Sequence, residues 1–216
     1  MTNRKLERYY DAVAPLYGFW AELTESRAAR RALEVARVQA GESVLEVGVG
    51  NGECFSRLVT AAKGRRCVGV DLSEGMLCRT RRWLQAEGRE GLLCRGDACH
   101  LPFPAGAFDA IVSCYMLDLL PEGDIETALR EFLRVAKPDG RLVLVVMGRQ
   151  NRVLNSIWMW AFNHAPALVG GCRPVALAPA LAATGWRIEV EEEICQNGFR
   201  SELILARPLR LEEQAA

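Results

Sequence analysis

The residues with the clearest chemical potential form a glycine loop after a short apolar run, Gly48-Val49-Gly50-Asn51-Gly52. Glycines let a backbone turn tightly and approach a ligand, and the start of the following helix presents free N–H groups. Dinucleotide-binding loops space their glycines as G-x-G-x-x-G, and the position of the third glycine is here Glu53. The loop therefore favours a ligand without phosphates over a nicotinamide dinucleotide, which would indicate an oxidoreductase.

Two carboxylates follow the next two apolar runs. Asp71 ends the run Val68-Gly69-Val70, and an acidic residue about twenty positions after a glycine loop suits a bidentate hydrogen bond to ribose hydroxyls. Asp97 follows a third run, where its carboxylate can accept a hydrogen bond from an adenine amino group. Because the carboxyl ends of parallel strands meet at one edge of a sheet, these three sites predict a nucleoside-binding crevice. Asp71 taken alone would also serve as the N-cap of the helix after it.

Alternating strands and helices are needed to position these residues. Apolar runs predict strands at 43–47, 66–70, 91–95, 107–113 and 141–147, separated by helices at 53–63, 73–86 and 125–136 and by a turn at 137–140. A helix at 174–183 and two strands, 188–193 and 201–206, follow, with the hairpin signal Asn197-Gly198 between the strands. The pattern predicts an α/β, Rossmann-like three-layer sandwich, whose mostly parallel seven-stranded sheet ends in an antiparallel hairpin strand.

Composition indicates one domain of 216 residues. Within it we distinguish a helical N-terminal lid (1–40), a cofactor-binding core (41–147), an acceptor-site insertion (148–174) and a C-terminal helix and hairpin (175–216). The 27 basic and 27 acidic residues cancel, which argues against a nucleic-acid partner. The eight cysteines include no C-x-x-C pair, and no signal segment or apolar run of bilayer-spanning length is present. We expect reduced thiols in a cytoplasmic protein and no metal site.

The segment 44–146 resembles the class I S-adenosylmethionine-dependent methyltransferases, in particular their ubiquinone/menaquinone methyltransferase-like branch. The match includes the glycine loop, Asp71, the loop Leu101-Pro102-Phe103-Pro104 and the helix-turn segment 133–140. The resemblance implies S-adenosyl-L-methionine as the cofactor. The residues expected to bind it are Tyr17, Glu46, Gly48, Gly50, Asn51, Gly52, Asp71, Leu72, Met76, Asp97, Ala98 and Ser113.

Methyl transfer from a sulfonium is an in-line displacement, so the protein mainly positions the reactants. We predict Tyr10 and Tyr17 as lid residues and Tyr115 and Asp118 as polar groups on the acceptor side. His100 fits a satisfied loop histidine better than a base. His164 is a candidate for substrate contact within the apolar insertion.

The basic and aromatic N-terminal segment and the sequence of residues 46–50 resemble the corresponding parts of bacterial phospholipid N-methyltransferases. The first substrate hypothesis is therefore N-methylation of a phosphatidylethanolamine-type lipid. A quinone ring, a thiol or arsenite are the alternatives, with Cys114 and Cys172 as candidate metalloid ligands. A non-catalytic cofactor-binding partner protein is the hypothesis from another class.

Two surfaces bear on membrane contact and on the acceptor. The basic N-terminal segment is either a solvated helix face or a helix that docks peripherally on the inner face of the membrane. Trp158, Trp160 and Phe162 either pack in the core or cover the acceptor pocket. The sequence leaves the oligomeric state open.

Overall fold

The structure, a computed structural model, describes residues 26–63, 66–148, 156, 158–160, 164 and 172–209. Its strands are β1 (Val44–Val47), β2 (Cys67–Asp71), β3 (Leu92–Arg95), β4 (Phe108–Cys114), β5 (Ala136–Met147), β6 (Trp186–Gln196) and β7 (Phe199–Pro208). Its helices are α1 (Ser26–Ala36), α2 (Glu53–Ala62), α3 (Glu74–Ala86), α4 (Glu122–Val135) and α5 (Ala178–Ala183), with a 3-10 turn at Leu117–Leu119. The predicted lid residues Tyr10 and Tyr17, together with most of the insertion, lie outside the described residues.

The seven strands form one mixed sheet in the order β3-β2-β1-β4-β5-β7-β6. β1 to β5 pair in parallel, whereas β7 runs antiparallel to both β5 and β6. The strand order reverses between β1 and β4, and ligands of open α/β sheets bind in the crevice at such a point. The structure confirms the predicted Rossmann-like architecture and its C-terminal antiparallel strands.

Helices cover both faces of the sheet. On one face, α1, α2 and α3 bury residues such as Ala32, Phe55 and Leu77. On the other face, α4 and α5 cover a cluster that includes Phe132 of α4 and Trp186 of β6. The indole N–H of Trp186 donates to Leu129 O at 3.0 Å. This two-sided cover explains why the four residues of β1 are all buried, and it leaves the carboxyl ends of the strands as the open edge.

Several predicted boundaries shift by a few residues, and two need a larger correction. The segment 137–140 is not a turn between elements but part of β5, where it forms a bulge between the pairs Phe108–Ala136 and Ala110–Arg141. Lys137 Nζ fixes this bulge by binding Asp109 Oδ2 at 2.7 Å. Helix α5 begins at Ala178 rather than at 174, with a proline in its first turn, where the missing N–H costs nothing.

None of the helices in the described part of the chain combines the length and apolar character needed to cross a bilayer.

Candidate active site

The glycine loop leaves β1 through three residues in the left-handed region. Gly48, Gly50 and Gly52 have φ of 82°, 51° and 86°. A Cβ on Gly52 would lie 2.8 Å from Thr80 Cγ2 and 2.9 Å from Thr80 Cα, whereas a Cβ on Gly50 would meet nothing within 4 Å. Gly52 is therefore needed both for its conformation and for the close packing of the loop on α3, and Gly50 for its conformation alone.

We expect Gly52→Ala to lower the free energy of unfolding of the ligand-free protein by about 2 to 4 kcal/mol, because backbone strain adds to overpacking. Gly50→Ala is the matched control and should cost only about 1 to 2 kcal/mol of strain. Urea denaturation of both variants and the parent measures the difference. Equal losses in the two variants would contradict the proposed packing role of Gly52.

Asp71 connects the second strand to the loop. Its Oδ2 accepts the Gly50 N–H at 3.0 Å, and its Oδ1 accepts the Ser73 N–H at 2.9 Å. The N-cap of α3 is Ser73, whose Oγ accepts the Met76 N–H at 3.2 Å, so Asp71 is not the cap of that helix. Asp71 instead holds the loop in shape while lining the cleft.

Asp97 is held in a short loop after β3. Its Oδ1 accepts the Cys99 N–H at 2.9 Å, and Ala98 beside it is buried. His100 is exposed, with its Nδ1 3.9 Å from Asp97 Oδ2. This exposure agrees with the interpretation of His100 as a loop residue rather than a base.

One cleft at the carboxyl ends of β1 to β4 brings most of the predicted cofactor residues together. Its lining includes Glu46, Gly48, Gly50, Asn51, Asp71, Leu72, Met76, Asp97 and Ala98. Gly52 and Ser113 lie outside this lining. The Ser113 hydroxyl is buried and donates to Val47 O at 2.8 Å, so it joins β4 to β1 instead of facing the cleft.

Glu46 is the most unusual group in the cleft wall. It is 1% exposed, and its Oε2 has no hydrogen-bond partner among the described residues. Burial raises the pKa of Glu46 well above its ordinary value, and the neighbouring Cys54 thiol and Asp71 carboxylate raise it further. A buried carboxylate that lacks one partner is costly, so this site favours a ligand that carries a positive charge or a donor.

Tyr115 and several apolar side chains also line the cleft. Tyr115 follows β4 with a φ of 53°, and its hydroxyl lies 2.6 Å from Ser201 Oγ. A tyrosine in the left-handed region carries backbone strain, which is common at functional positions. Its apolar neighbours in the lining are Leu33, Met116, Leu119 and Leu120. Because its hydroxyl is bonded to Ser201, Tyr115 contributes mainly its ring to this wall.

The aromatic residues of the insertion fall on different surfaces. Trp158 donates its indole N–H to Cys172 O at 2.9 Å and packs against Phe199, with ring centroids 5.9 Å apart. Trp160 is 62% exposed and stacks on His164 at 5.1 Å. Trp158 therefore packs, partly buried, against the core, while neither Trp160 nor His164 is part of the cleft lining. Phe162 lies outside the described residues.

Asp118 lies behind the cleft wall rather than on it. It is fully buried, and its Oδ2 accepts the Met147 N–H at 3.1 Å while its Oδ1 has no partner among the described residues. Burial raises the pKa of Asp118 to about 7, and Arg173 acts in the opposite direction. The backbone of Arg173 also binds Asp118 O at 3.3 Å. Asp118 thus anchors the 3-10 turn to β5 and to the last residues of the insertion.

The raised pKa of Asp118 predicts a pH-dependent stability. Because the folded pKa of about 7 exceeds the ordinary 3.8, this group stabilises the fold at low pH, and its contribution is lost as the pH rises through 7. From about pH 5 to pH 8 we expect the parent to lose about 2 to 3 kcal/mol more of its free energy of unfolding than Asp118→Asn. Urea denaturation across this pH range tests it. Parallel profiles for the two proteins would contradict the burial effect.

The sequence interpretation missed two groups of cleft residues. Ser26, Ala29, Arg30 and Leu33 of α1 line the cleft, as do Glu53, Cys54 and Arg57 on the first turns of α2. The spacing 53, 54 and 57 places the second group on one face of the helix that starts at the glycine loop. That spacing was a usable signal. The α1 residues gave no such sequence signal, because their position at the cleft depends on how α1 packs on β5.

Residues 44–140 match a family described as a methyltransferase domain. The chain is 38% identical to a demethylmenaquinone methyltransferase of Thermus thermophilus over 136 residues. The aligned stretch covers 63% of this chain and 60% of that protein. It therefore spans less than two thirds of that relative's length. It is 34% identical over 148 residues to a phosphatidylethanolamine N-methyltransferase of Cereibacter sphaeroides, covering 62% of this chain and 68% of the relative. The chain belongs to the S-adenosylmethionine-dependent methyltransferases.

The fold of this chain is shared with a protein that is named for a different reaction. It superposes on the [4+2]-cyclase SpnF with a TM-score of 0.77 and 20% identity, over 97% of both chains. Membership confirms the predicted family and the cofactor that the family uses. The likeness to SpnF shows that the fold alone does not determine the reaction or the acceptor.

Proposed function

We propose that this protein transfers a methyl group from S-adenosylmethionine to an apolar, lipid-like acceptor. The observation that carries the proposal is the cleft itself. Its lining combines a buried carboxylate that has an unpartnered oxygen with apolar side chains that include Met116, Leu119 and Leu120. A positively charged donor and an apolar acceptor would each find a matching surface there.

The residues of the cleft fit the parts of this cofactor. The unpartnered Oε2 of Glu46 would accept from the amino group of its methionine end, which would give the buried charge a partner. Asp71 would bind the ribose hydroxyls, as acidic residues at the end of a second strand do. Asp97 would accept from the adenine amino group, with Leu72 and Met76 packed on the ring.

S-adenosylmethionine supplies an activated methyl group, and its bonding electron pair stays on sulfur when an electron pair of the acceptor takes the carbon in line. The chain's contribution is to hold both reactants at the required distance and angle, which is worth about 7 to 11 kcal/mol in well-oriented reactions. Asp71 and the glycine loop hold the donor, and the ring of Tyr115 and the leucines of the lining exclude water from the acceptor. A proton leaving the acceptor would pass to solvent at the cleft mouth.

Within this function we favour a hydroquinone ring as the acceptor. The Thermus relative is named for demethylmenaquinone, and a flat, uncharged ring matches the apolar wall without requiring a charged partner. Phosphatidylethanolamine is the second candidate. The Cereibacter relative supports it, and so does Arg30, an exposed cation in the cleft lining that could bind the lipid phosphate.

The test is transfer of a labelled methyl group from S-adenosylmethionine by the purified protein. The acceptors are a reduced demethylmenaquinone analogue, phosphatidylethanolamine in anionic vesicles, dithiothreitol and arsenite, with Asp71→Ala as the inactive control. Label in the quinone product supports the first candidate, and label in the lipid supports the second. Label in the thiol or arsenic product would overturn the lipid-like acceptor. Saturable S-adenosylhomocysteine binding with no transfer to any of the four acceptors would count against the catalytic proposal and favour a cofactor-binding partner protein.

A further inference from the structure

A buried threonine of α3 holds the glycine loop from outside the cleft. Thr80 is fully buried, and its hydroxyl donates to Gly50 O at 3.1 Å. The residue is not part of the cleft lining. Its contact with the loop extends to Gly52, because a Cβ on that glycine would lie 2.8 Å from Thr80 Cγ2. Thr80 therefore contacts the loop at two of its glycines without lining the cleft.

Helix α3 alone gives no reason for a threonine at this position. Threonine is a weak helix former, and a helical threonine can return its hydroxyl to the carbonyl four residues earlier. Thr60 of α2 does so, with its hydroxyl 3.0 Å from Ser56 O. The hydroxyl of Thr80 instead binds a carbonyl thirty residues away in the sequence. It therefore stabilises the loop rather than its own helix.

The loop needs such a bond because a glycine does not fix the orientation of its own peptides. Gly50 has a φ of 51° and open space at its Cβ position, so the peptides beside it can rotate at little steric cost. Asp71 Oδ2 fixes the preceding peptide by accepting the Gly50 N–H at 3.0 Å. Thr80 fixes the following peptide by donating to Gly50 O. Each peptide beside Gly50 thus has one side chain that selects its orientation.

The orientation of the following peptide decides what the loop offers to a ligand. A trans peptide points its C=O and its N–H in opposite directions. Because the Gly50 carbonyl is turned toward Thr80, the N–H of Asn51 is turned away from it. Gly50 and Asn51 both line the cleft. Rotation of this peptide would exchange the positions of a donor and an acceptor, and a ligand bound to one of them would lose its partner.

We propose that Thr80 is a positioning residue for S-adenosylmethionine, whose hydroxyl holds the Gly50–Asn51 peptide in the orientation that binds the cofactor. The inference rests on the proposed function, because it concerns the cleft in which that function places the cofactor. Thr80 acts through the loop and does not contact the reacting atoms. Loss of its hydroxyl should therefore weaken cofactor binding although the side chains that line the cleft are unchanged.

The test compares variants of Thr80 that separate its hydroxyl from its methyl group. Thr80→Val keeps the shape and removes the donor, whereas Thr80→Ser keeps the donor and removes the methyl group that packs on Gly52. The net contribution of one neutral hydrogen bond corresponds to a factor of up to about 10. We therefore expect Thr80→Val to raise the Kd of S-adenosylhomocysteine by about 3- to 10-fold, and Thr80→Ser to bind like the parent. Isothermal titration of the purified full chain measures both.

Two further variants complete the comparison. Thr80→Ala differs from Thr80→Ser only in the hydroxyl, and it should lose as much affinity as Thr80→Val. Thr60→Val makes the same chemical change on α2, outside the cleft lining, and should leave the Kd unchanged because that hydroxyl binds only its own helix.

A second measurement needs no ligand. The Gly52 amide donates to Val49 O at 2.9 Å within the loop, and the Tyr115 amide donates to Val145 O at 2.7 Å between β4 and β5. In Thr80→Val the exchange of the Gly52 amide, followed by NMR, should accelerate about 3- to 10-fold relative to that of the Tyr115 amide. A loss of overall stability alone would not change the ratio of the two rates in this direction.

Parent-like affinity in both Thr80→Val and Thr80→Ala, or an equal loss in Thr80→Ser, would overturn the role given to the hydroxyl. A parent protein that does not bind S-adenosylhomocysteine would instead contradict the proposed function. The amide exchange would then still decide whether Thr80 holds the loop, and an unchanged ratio of the two rates in Thr80→Val would show that it does not.

Discussion

Asp71→Ala should weaken the binding of S-adenosylhomocysteine by at least about 100-fold. Two hydrogen bonds that ribose hydroxyls donate to a charged carboxylate are worth about 1.5 to 3 kcal/mol each, and losing both gives at least this factor. The substitution also removes the acceptor for the Gly50 N–H, which is now bound at 3.0 Å, and so loosens the loop. Isothermal titration of the parent and the variant measures the change.

Two further variants separate binding from general damage. Asp71→Asn keeps one oxygen acceptor and should lose less affinity than Asp71→Ala. Glu74→Ala removes an exposed carboxylate from the first turn of α3, outside the cleft lining, and should leave Kd unchanged. Parent-like affinity in Asp71→Ala would contradict the assignment of the ribose site.

Glu46→Gln should lose cofactor affinity while it stabilises the empty protein. The amide cannot hold a positive charge, and removing one member of a buried charge pair costs about 2 to 5 kcal/mol, or at least about 30-fold in Kd. Without ligand, however, the variant no longer buries a carboxylate whose Oε2 lacks a partner. Its free energy of unfolding near neutral pH should rise by about 1 to 3 kcal/mol. Calorimetric titration and urea denaturation measure the two effects.

The pH dependence of this gain in stability follows from the direction in which the Glu46 pKa is shifted. The folded pKa is raised above the ordinary 4.5, so the protonated group stabilises the fold in acid, and that contribution is lost as the pH rises above 4.5. The difference in free energy of unfolding between Glu46→Gln and the parent should therefore grow as the pH rises and shrink toward pH 4. A variant that binds as tightly as the parent, or one that is destabilised at every pH, would contradict the role given to Glu46.

The convergence of the glycine loop, Asp71 and Asp97 on one cleft could be predicted from the sequence because topology alone brings them together. The glycine loop, Asp71 and Asp97 each follow a parallel strand, and the strand order β3-β2-β1-β4 places the three strand ends side by side. No side-chain detail was needed. The same argument predicted the sheet and its final antiparallel pair.

The acceptor end could not be predicted in the same way because it depends on which side of a strand each residue faces. Ser113 and Cys114 are adjacent in sequence, but one binds Val47 O beneath the cleft and the other lines it. Asp118 was expected beside the acceptor and instead is buried against the Met147 N–H. A one-residue shift along a strand reverses the side that a residue faces, so sequence patterns locate strand ends better than pockets.

The most direct test of the account is calorimetric titration of the purified protein with S-adenosylhomocysteine, with NAD titrated in parallel. The cleft predicts saturable binding of one S-adenosylhomocysteine per chain and no measurable heat with NAD, because Glu53 replaces the glycine that a pyrophosphate loop requires. Binding of NAD, or no binding of S-adenosylhomocysteine, would contradict the assignment of this cleft to S-adenosylmethionine.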